Sequence, residues 1–332
     1  MSSLFHRFKQ SVLIATSAVG LALVVLPATG AAYVGVSTNH PVIVGSAATR
    51  RPSPPPPELR ASYSTIDVPG AFSTEVTGII RTGPLGRSTE MVGIYQDAQG
   101  IHGFVLSGGH YTTLDYPGSD DTWAEGISSQ GQIVGYYSVA GESGAMSFRY
   151  SQGIYTSILP PGYNAWGINA SGDIVATYQN QGEIQGSLSV NGAVQTFGSP
   201  GESTFLLGIN NDPVPEIVGF QGIHGVVFNG SDPDGGTTFD VPGPTPRYTA
   251  AYGVNDSGQI VGAYALPGSE AHGFVDNGGS FSTVDCPGTS DNEAHGIDNP
   301  SPLTGSYDIV GTCGGHGFIA TVSRNAGVSS TG

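Results

Sequence analysis

Lysine is almost absent from this 332-residue chain, and charge of either sign is sparse, at 11% of residues. Lys9 is the single lysine; from Tyr63 onward there are five Arg and 25 Asp or Glu, a net of 5 − 25 = −20. Phosphate binding needs clustered cations, so nucleic acid is excluded as a partner. Once a leader carrying Lys9 is removed, Schiff-base and Ser-Lys chemistry have no lysine to use. Cysteine is limited to Cys286 and Cys313. No heptad or long amphipathic-helix pattern occurs, which excludes a helical bundle.

What the chain has in abundance is glycine, 52 residues, together with 38% apolar and 9% aromatic residues. That mixture suits short strands joined by tight turns and is apolar enough to build a core. Residues 1–32 read as a secretory signal: His6, Arg7 and Lys9, then an apolar run over 11–26, then PATGAA with small residues for cleavage. A retained anchor is the alternative, but about 16 apolar residues is short for a membrane span. Residues 33–62, with four consecutive prolines at 54–57, read as a Pro-rich disordered linker.

The cleanest copy of the repeating unit is 250–286, with four β-like runs at 250–254, 259–264, 272–275 and 281–285. The breaks NDSG, LPGSE and DNGGS carry turn residues, the pattern of an antiparallel meander. Six Pro-Gly markers end at Gly70, Gly118, Gly162, Gly201, Gly243 and Gly288, spaced 48, 44, 39, 42 and 45 residues apart. Six copies of four strands at this period predict an all-β, six-bladed β-propeller over 63–322, with 323–332 as a tail. The repeats fall near 76–115, 124–159, 165–198, 205–240, 250–285 and 294–321, the last completed by 63–68. A β-solenoid tolerates the same period but usually uses shorter coils and needs caps. The third runs read HGFV, MSFR, GSLS, HGVV, HGFV and HGFI. This series resembles the HAF family of extracellular repeats, named for a His-Ala-Phe motif that reads His-Gly-Phe here. The resemblance implies a secreted repeat protein; it implies no reaction, because that family is defined by its repeat.

No fourth-strand sequence follows 316–320, whereas a spare one, 63–68, stands at the start. Closure is therefore expected, with 64–68 antiparallel to 317–322, because it removes an exposed edge. Counting across the hairpins sets His102 against Asp115, His224 against Asp240 and His272 against Asp285, and closure then sets His316 against Asp67. The copies with Met146, and with Gln185 or Gly186, at the His position also lack the Asp, having Leu159 and Gly198 there, as a contacting structural pair would. One His and one Asp are too few for a metal site, and neither metal nor cofactor is implied.

In a repeat, positions that differ between copies are free for function. Just before the first-strand glycine stand Thr77, Glu125, Trp166, Leu207, Tyr252 and His295; two residues earlier stand Glu75, Trp123, Asn164, Phe205, Ala250 and Glu293. These are expected to ring one mouth of the channel, with Asp120, Asp121 and Asp291 in the loops leading in. Trp123, Glu125, Trp166, Tyr252, Glu293 and His295 then form a candidate site for a glycan or another neutral or cationic ligand. Packing of the tryptophans between blades stays open, as does an enzyme reading with Glu125, Glu293 and His295 acting on a carbohydrate or lactone. The expected partner is an extracellular ligand or protein, with no membrane after leader removal, and the ring is expected to be a monomer. A Cys286–Cys313 disulfide suits an exported chain.

Overall fold

The computed structural model describes residues 54–83, 86–199, 201–243 and 246–323. The signal reading of 1–32, most of the linker and nearly all of the tail lie outside them. Blade one holds β2 (Ser73–Thr82), β3 (Ser88–Gln96), β4 (Ile101–Ser107) and β5 (His110–Leu114), after a first strand β1 (Ser62–Ile66). Blade two holds β6 (Asp121–Ile127), β7 (Ile133–Ser138), β8 (Met146–Ser151) and β9 (Ile154–Ser157). Blade three follows as β10 (Tyr163–Ile168), β11 (Ile174–Asn180), β12 (Glu183–Val190) and β13 (Ala193–Phe197). Blade four is β14 (Thr204–Ile209), β15 (Glu216–Gln221), β16 (His224–Asn229) and β17 (Thr237–Phe239). Blade five is β18 (Tyr248–Val254), β19 (Gln259–Ala265), β20 (Ala271–Asn277) and β21 (Phe281–Val284). Blade six is β22 (Asn292–Ile297), β23 (Tyr307–Cys313) and β24 (His316–Val322), completed by β1.

The result is a six-bladed, all-β propeller closed by its first strand, with Ser64 opposite Ile319 and Ile66 opposite Gly317. Asp67 Oδ2 lies 3.0 Å from His316 Nδ1, beyond the end of that ladder. The other three His–Asp pairs meet at 3.0 Å (His102–Asp115), 2.9 Å (His224–Asp240) and 2.7 Å (His272–Asp285). Exposed pairs of this kind contribute about 1 kcal/mol at most. Blade two has Met146 at the His position, where its sulfur accepts from Tyr137 Oη (3.6 Å), and aromatics pack beside it: Tyr116 stacks on Tyr137 at 3.7 Å, and Tyr155 meets Tyr116 edge-on at 5.4 Å.

Of the two residues left open at the His position of blade three, the structure selects Gln185, which faces Tyr178 as His102 faces Tyr95. The copy therefore reads Gln185-Gly186-Ser187, one residue earlier than the Gly186-Ser187-Leu188 match. The linker reading fails at its end. Thr283 N donates to Pro57 O (2.8 Å), Leu59 N donates to Thr283 O (2.7 Å), and Glu58 forms a parallel bridge with Thr283. Proline has no N–H, but its carbonyl is a full acceptor, so the Pro run can cover the outer edge of β21.

The blades meet through backbone at the axis. A Cβ on Gly167 would stand 2.8 Å from Leu207 O, one on Gly208 would stand 2.8 Å from Tyr252 O, and one on Gly253 would stand 2.7 Å from His295 O. Gly126 and Gly296 make the same approach to the next blade, at 2.7 Å to Trp166 O and 3.2 Å to Thr77 O. Outward of this ring the blades pack through buried side chains such as Phe104, Phe148, Phe274 and Phe318, each at most 2% exposed.

Cys286 and Cys313 form a disulfide with Cα atoms 6.2 Å apart, joining the exit of blade five to the second strand of blade six. Its sequence separation of 27 residues predicts a loss of about 3.5 kcal/mol for Cys313→Ser by the loop-closure relation. Gly208→Ala is expected to cost 1–3 kcal/mol, about the usual penalty of overpacking. Urea unfolding of both variants against wild type checks these values; a Gly208→Ala protein as stable as wild type would show that the axis has slack.

Candidate functional site

Each innermost strand carries one irregularity in register, always at the same place. The shifts fall between Val76 and Gly78, Ala124 and Gly126, Ala165 and Gly167, Leu206 and Gly208, Ala251 and Gly253, and Ala294 and Gly296. The unpaired residue is therefore Thr77, Glu125, Trp166, Leu207, Tyr252 or His295. A bulge adds a residue to one strand and re-aims its side chain. Here it does so six times at one level, on the residue that varies most between copies.

These side chains are sunk rather than displayed. Glu125, Trp166, Leu207 and Tyr252 are each 6% exposed, His295 7% and Thr77 8%. One sector is aromatic. Trp123 stacks on Tyr136 at 4.9 Å, and Tyr136 meets Trp166 edge-on at 5.4 Å. Trp166 Nε1 donates to Thr177 Oγ1 at 2.9 Å, and Phe205 stacks on Phe220 at 4.2 Å. The tryptophans thus belong to a core cluster that also includes Leu207 and Tyr252.

The other sector is acidic. His295 Nε2 lies 2.9 Å from Glu75 Oε1 and 3.5 Å from Glu293 Oε2, while its ring stacks on Tyr252 at 4.9 Å. His295 and Glu293 are thus brought together, and the carboxylate nearest His295 is Glu75 of blade one. Glu75 was legible as a ring position but not as this partner, because the contact exists only across the closure. The loop acids serve backbone instead: Asp121 Oδ1 accepts from Ile101 N at 2.9 Å, and Asp120 accepts from Ala140 N. Asp291 holds a left-handed φ of 62°, and burial raises its pKa. No group of three or more His, Cys, Asp or Glu suited to a metal occurs among the described residues. The NASGD and NDSGQ turns are closed by asparagine, with Asn169 Oδ1 accepting from Ser171 N and Asn255 Oδ1 from Ser257 N, both at 3.0 Å.

At the opposite mouth a chain of side-chain hydrogen bonds runs from blade to blade. Gln130 Nε2 donates to Ala170 O (2.9 Å), Ala170 N to Asn211 Oδ1 (2.7 Å), and Asn211 N to Asp256 Oδ1 (2.9 Å). Asp256 N then donates to Asn299 Oδ1 (2.8 Å), and Arg81 Nε to Asn299 O (3.2 Å). Arg81 also pairs with Asp298 and Asp308, each at 2.9 Å. Burial pushes the Asp298 carboxyl up to about 7 despite the Asp308 N–H and the Arg81 guanidinium, which pull it down. The sequence shows the 169–172 and 255–258 stretches only as tight turns; that they join Asn211, Asn299 and Arg81 in one rim depends on contacts between blades.

Comparison with known proteins bears on the fold alone. No protein-family model matches the chain and no curated protein matches it, so the HAF likeness rests on the repeat residues. Among solved structures, a mutant of AofleA from Arthrobotrys oligospora aligns over 80% of this chain and 87% of its own, at 14% identity and a TM-score of 0.50. A streptogramin B lyase aligns over 78% and 96% at 11% identity (TM-score 0.46), and a fucose-specific lectin from Aleuria aurantia over 80% and 100% at 14% (TM-score 0.42). At such identities the likeness is one of architecture. No helix among the described residues is long and apolar enough to cross a membrane.

The raised Asp298 predicts a pH dependence of stability. Below about pH 4 the carboxyl is protonated in both folded and unfolded chains. Between about pH 4 and about pH 7 the unfolded chain ionises while the folded one keeps its proton, so stability falls as pH rises, by up to about 1.4 kcal/mol per pH unit. Above about 7 the loss is complete and constant. Chemical unfolding of wild type and Asp298→Asn across this range should give curves that diverge with that slope; parallel curves would mean that Asp298 titrates like a solvated carboxylate.

Proposed function

We propose that the chain is a secreted binding scaffold whose axial ring recognises a polyhydroxylated or cationic group, a glycan being the foremost candidate. The observation that supports this is the sixfold bulge: one unlike side chain from every blade is set at one level, beside aromatic faces and carboxylates. Aromatic rings stack on apolar sugar faces or attract cations, while carboxylates accept from hydroxyl or ammonium donors. The glycine and the aliphatic residue that follow each bulge recur in all six blades, whereas the bulged residue differs in every one. The disulfide fits an oxidising, extracellular or periplasmic setting.

A second reading, hydrolysis or elimination on an extracellular carbohydrate or lactone, is favoured by His295 Nε2 standing within 2.9 Å of Glu75 and 3.5 Å of Glu293. In that reading His295 and Glu293 handle the proton, with Glu125 as the remaining candidate.

A glycan array probed with wild type, Trp123→Phe, Trp123→Ala and Glu293→Gln tests the first reading. The expected result is partial retention with Phe and loss of at least tenfold with Ala or Gln, in variants whose melting shows them folded. Unchanged binding in folded Trp123→Ala and Glu293→Gln would move recognition away from the ring. Turnover of a polysaccharide or lactone that disappears in Glu293→Gln would establish the second reading instead.

A further inference from the structure

Where the rim chain of Asn211, Asp256 and Asn299 closes the opposite mouth, it encircles a cavity of about 220 Å³ lined by residues of all six blades. The residue after each axial glycine forms its floor: Ile79, Ile127, Ile168, Ile209, Val254 and Ile297. The floor is uniformly aliphatic and offers water no hydrogen-bond partner. The rim is largely self-satisfied, since Asp256 accepts from Asn211 Nδ2 (2.9 Å) and Asn299 Nδ2 (2.6 Å). An empty apolar cavity of about 150 Å³ stays dry and takes benzene, so this one has room for a substituted ring on the order of ten non-hydrogen atoms.

Loop length is an independent sign. Between a floor residue and the residue paired with it across the next strand lie five residues in blade two (128–132), blade three (169–173) and blade five (255–259). Blade four has seven (210–216). Blade six has eleven, 298–308, and in blade one the hairpin is extended past the floor residue by three further ladder pairs, Ile80–Glu90, Arg81–Thr89 and Thr82–Ser88. A turn needs only the shorter length, and lengthening confined to one face of a repeat marks that face for binding. The long connection of blade six and the extended hairpin of blade one are neighbours across the closure and supply one wall of the cavity, through Pro300, Pro302 and Gly86. The blade-six connection is also preformed. Ser301 N donates to Ser306 O (2.7 Å), Gly305 N to Ser301 O (2.8 Å), and Arg81 of blade one holds Asn299 and Asp308 of blade six.

We propose that this mouth is a second ligand site, separate from the acidic and aromatic ring, for a compact uncharged molecule with an apolar body, such as a substituted monocyclic hydrocarbon or its alcohol. The aliphatic floor disfavours charge, since an ion there would lose its hydration, and the charged wall residues are already engaged, Arg81 with Asp298 (2.9 Å) and Asp256 with Asn211 and Asn299. The fixed walls limit size and favour a rigid ring over a flexible chain.

Toluene and cyclohexanol, titrated against the full chain by ligand-observed NMR, are the probes. Saturable binding is expected, weakened at least tenfold by Val254→Phe, which fills the cavity from its floor. Should that variant melt abnormally, Ser129→Trp, placed on the exposed rim, closes the mouth without touching the floor and should weaken binding likewise. Absence of saturable binding, or binding that a folded Ser129→Trp leaves unchanged, overturns the proposal. Probe binding lost in Trp123→Ala but kept in Ser129→Trp overturns it as well, by placing the probe at the ring.

Discussion

Backbone touching backbone around the axis is the constraint on which this propeller depends. First strands come close enough that five of the six axial glycines rest on the carbonyl and glycine of the next blade, while Gly78 rests on Val92 and Ile127. A Cβ at Gly126 would stand 3.0 Å from Gly167 Cα, and one at Gly208 would stand 3.0 Å from Gly253 Cα. The approach continues across the closure, where a Cβ at Gly296 would stand 3.2 Å from Gly78 Cα. Side-chain packing farther out tolerates change, as Phe148 in blade two and Ser187 in blade three show at equivalent places. The axis does not, so glycine recurs there in every copy.

That closeness has a chemical consequence. Strands this near leave no regular alternation to point side chains along the axis, and the bulge beside each glycine restores one outward choice per blade. Scaffold and variation are therefore adjacent in sequence: glycine serves the ring, and the residue before it is free to be Thr, Glu, Trp, Leu, Tyr or His. Burial then sorts these into an aromatic sector held by stacking and an acidic sector centred on His295. On the far side of the same glycines, the residue that follows is always aliphatic. One strand thus gives the channel a chemically mixed end and an apolar end.

Closure binds the two termini of the ring in several ways at once. β1 supplies the ladder, His316 meets Asp67, the disulfide fastens the entrance of blade six, and Arg81 reaches from blade one to Asp298 and Asp308. Edge strands left open invite association, and here the last blade has its missing strand while Pro57 to Leu59 cover the edge of β21. A shared seam also means that a site residue such as His295 can find its partner, Glu75, at the other end of the chain.

The sequence alone determined the repeat, the four strands per copy, the closing strand and the facing of His316 with Asp67, because turn residues and alternation are local and six copies reinforce each other. It also located the variable ring, since comparison among copies separates scaffold from freedom. What it left undecided depended on register and depth. Gln185, not Gly186, holds the His position because pairing with Tyr178 fixes it, and a lone glycine match cannot. Trp123 and Trp166 lie in a core because Tyr136 from the next strand stacks on the first and meets the second edge-on. Arg81, Asp298 and the cavity they border came into being only when blades one and six met. Contacts between residues more than two hundred positions apart follow from curvature accumulated over the whole ring, and no short stretch of sequence carries that quantity.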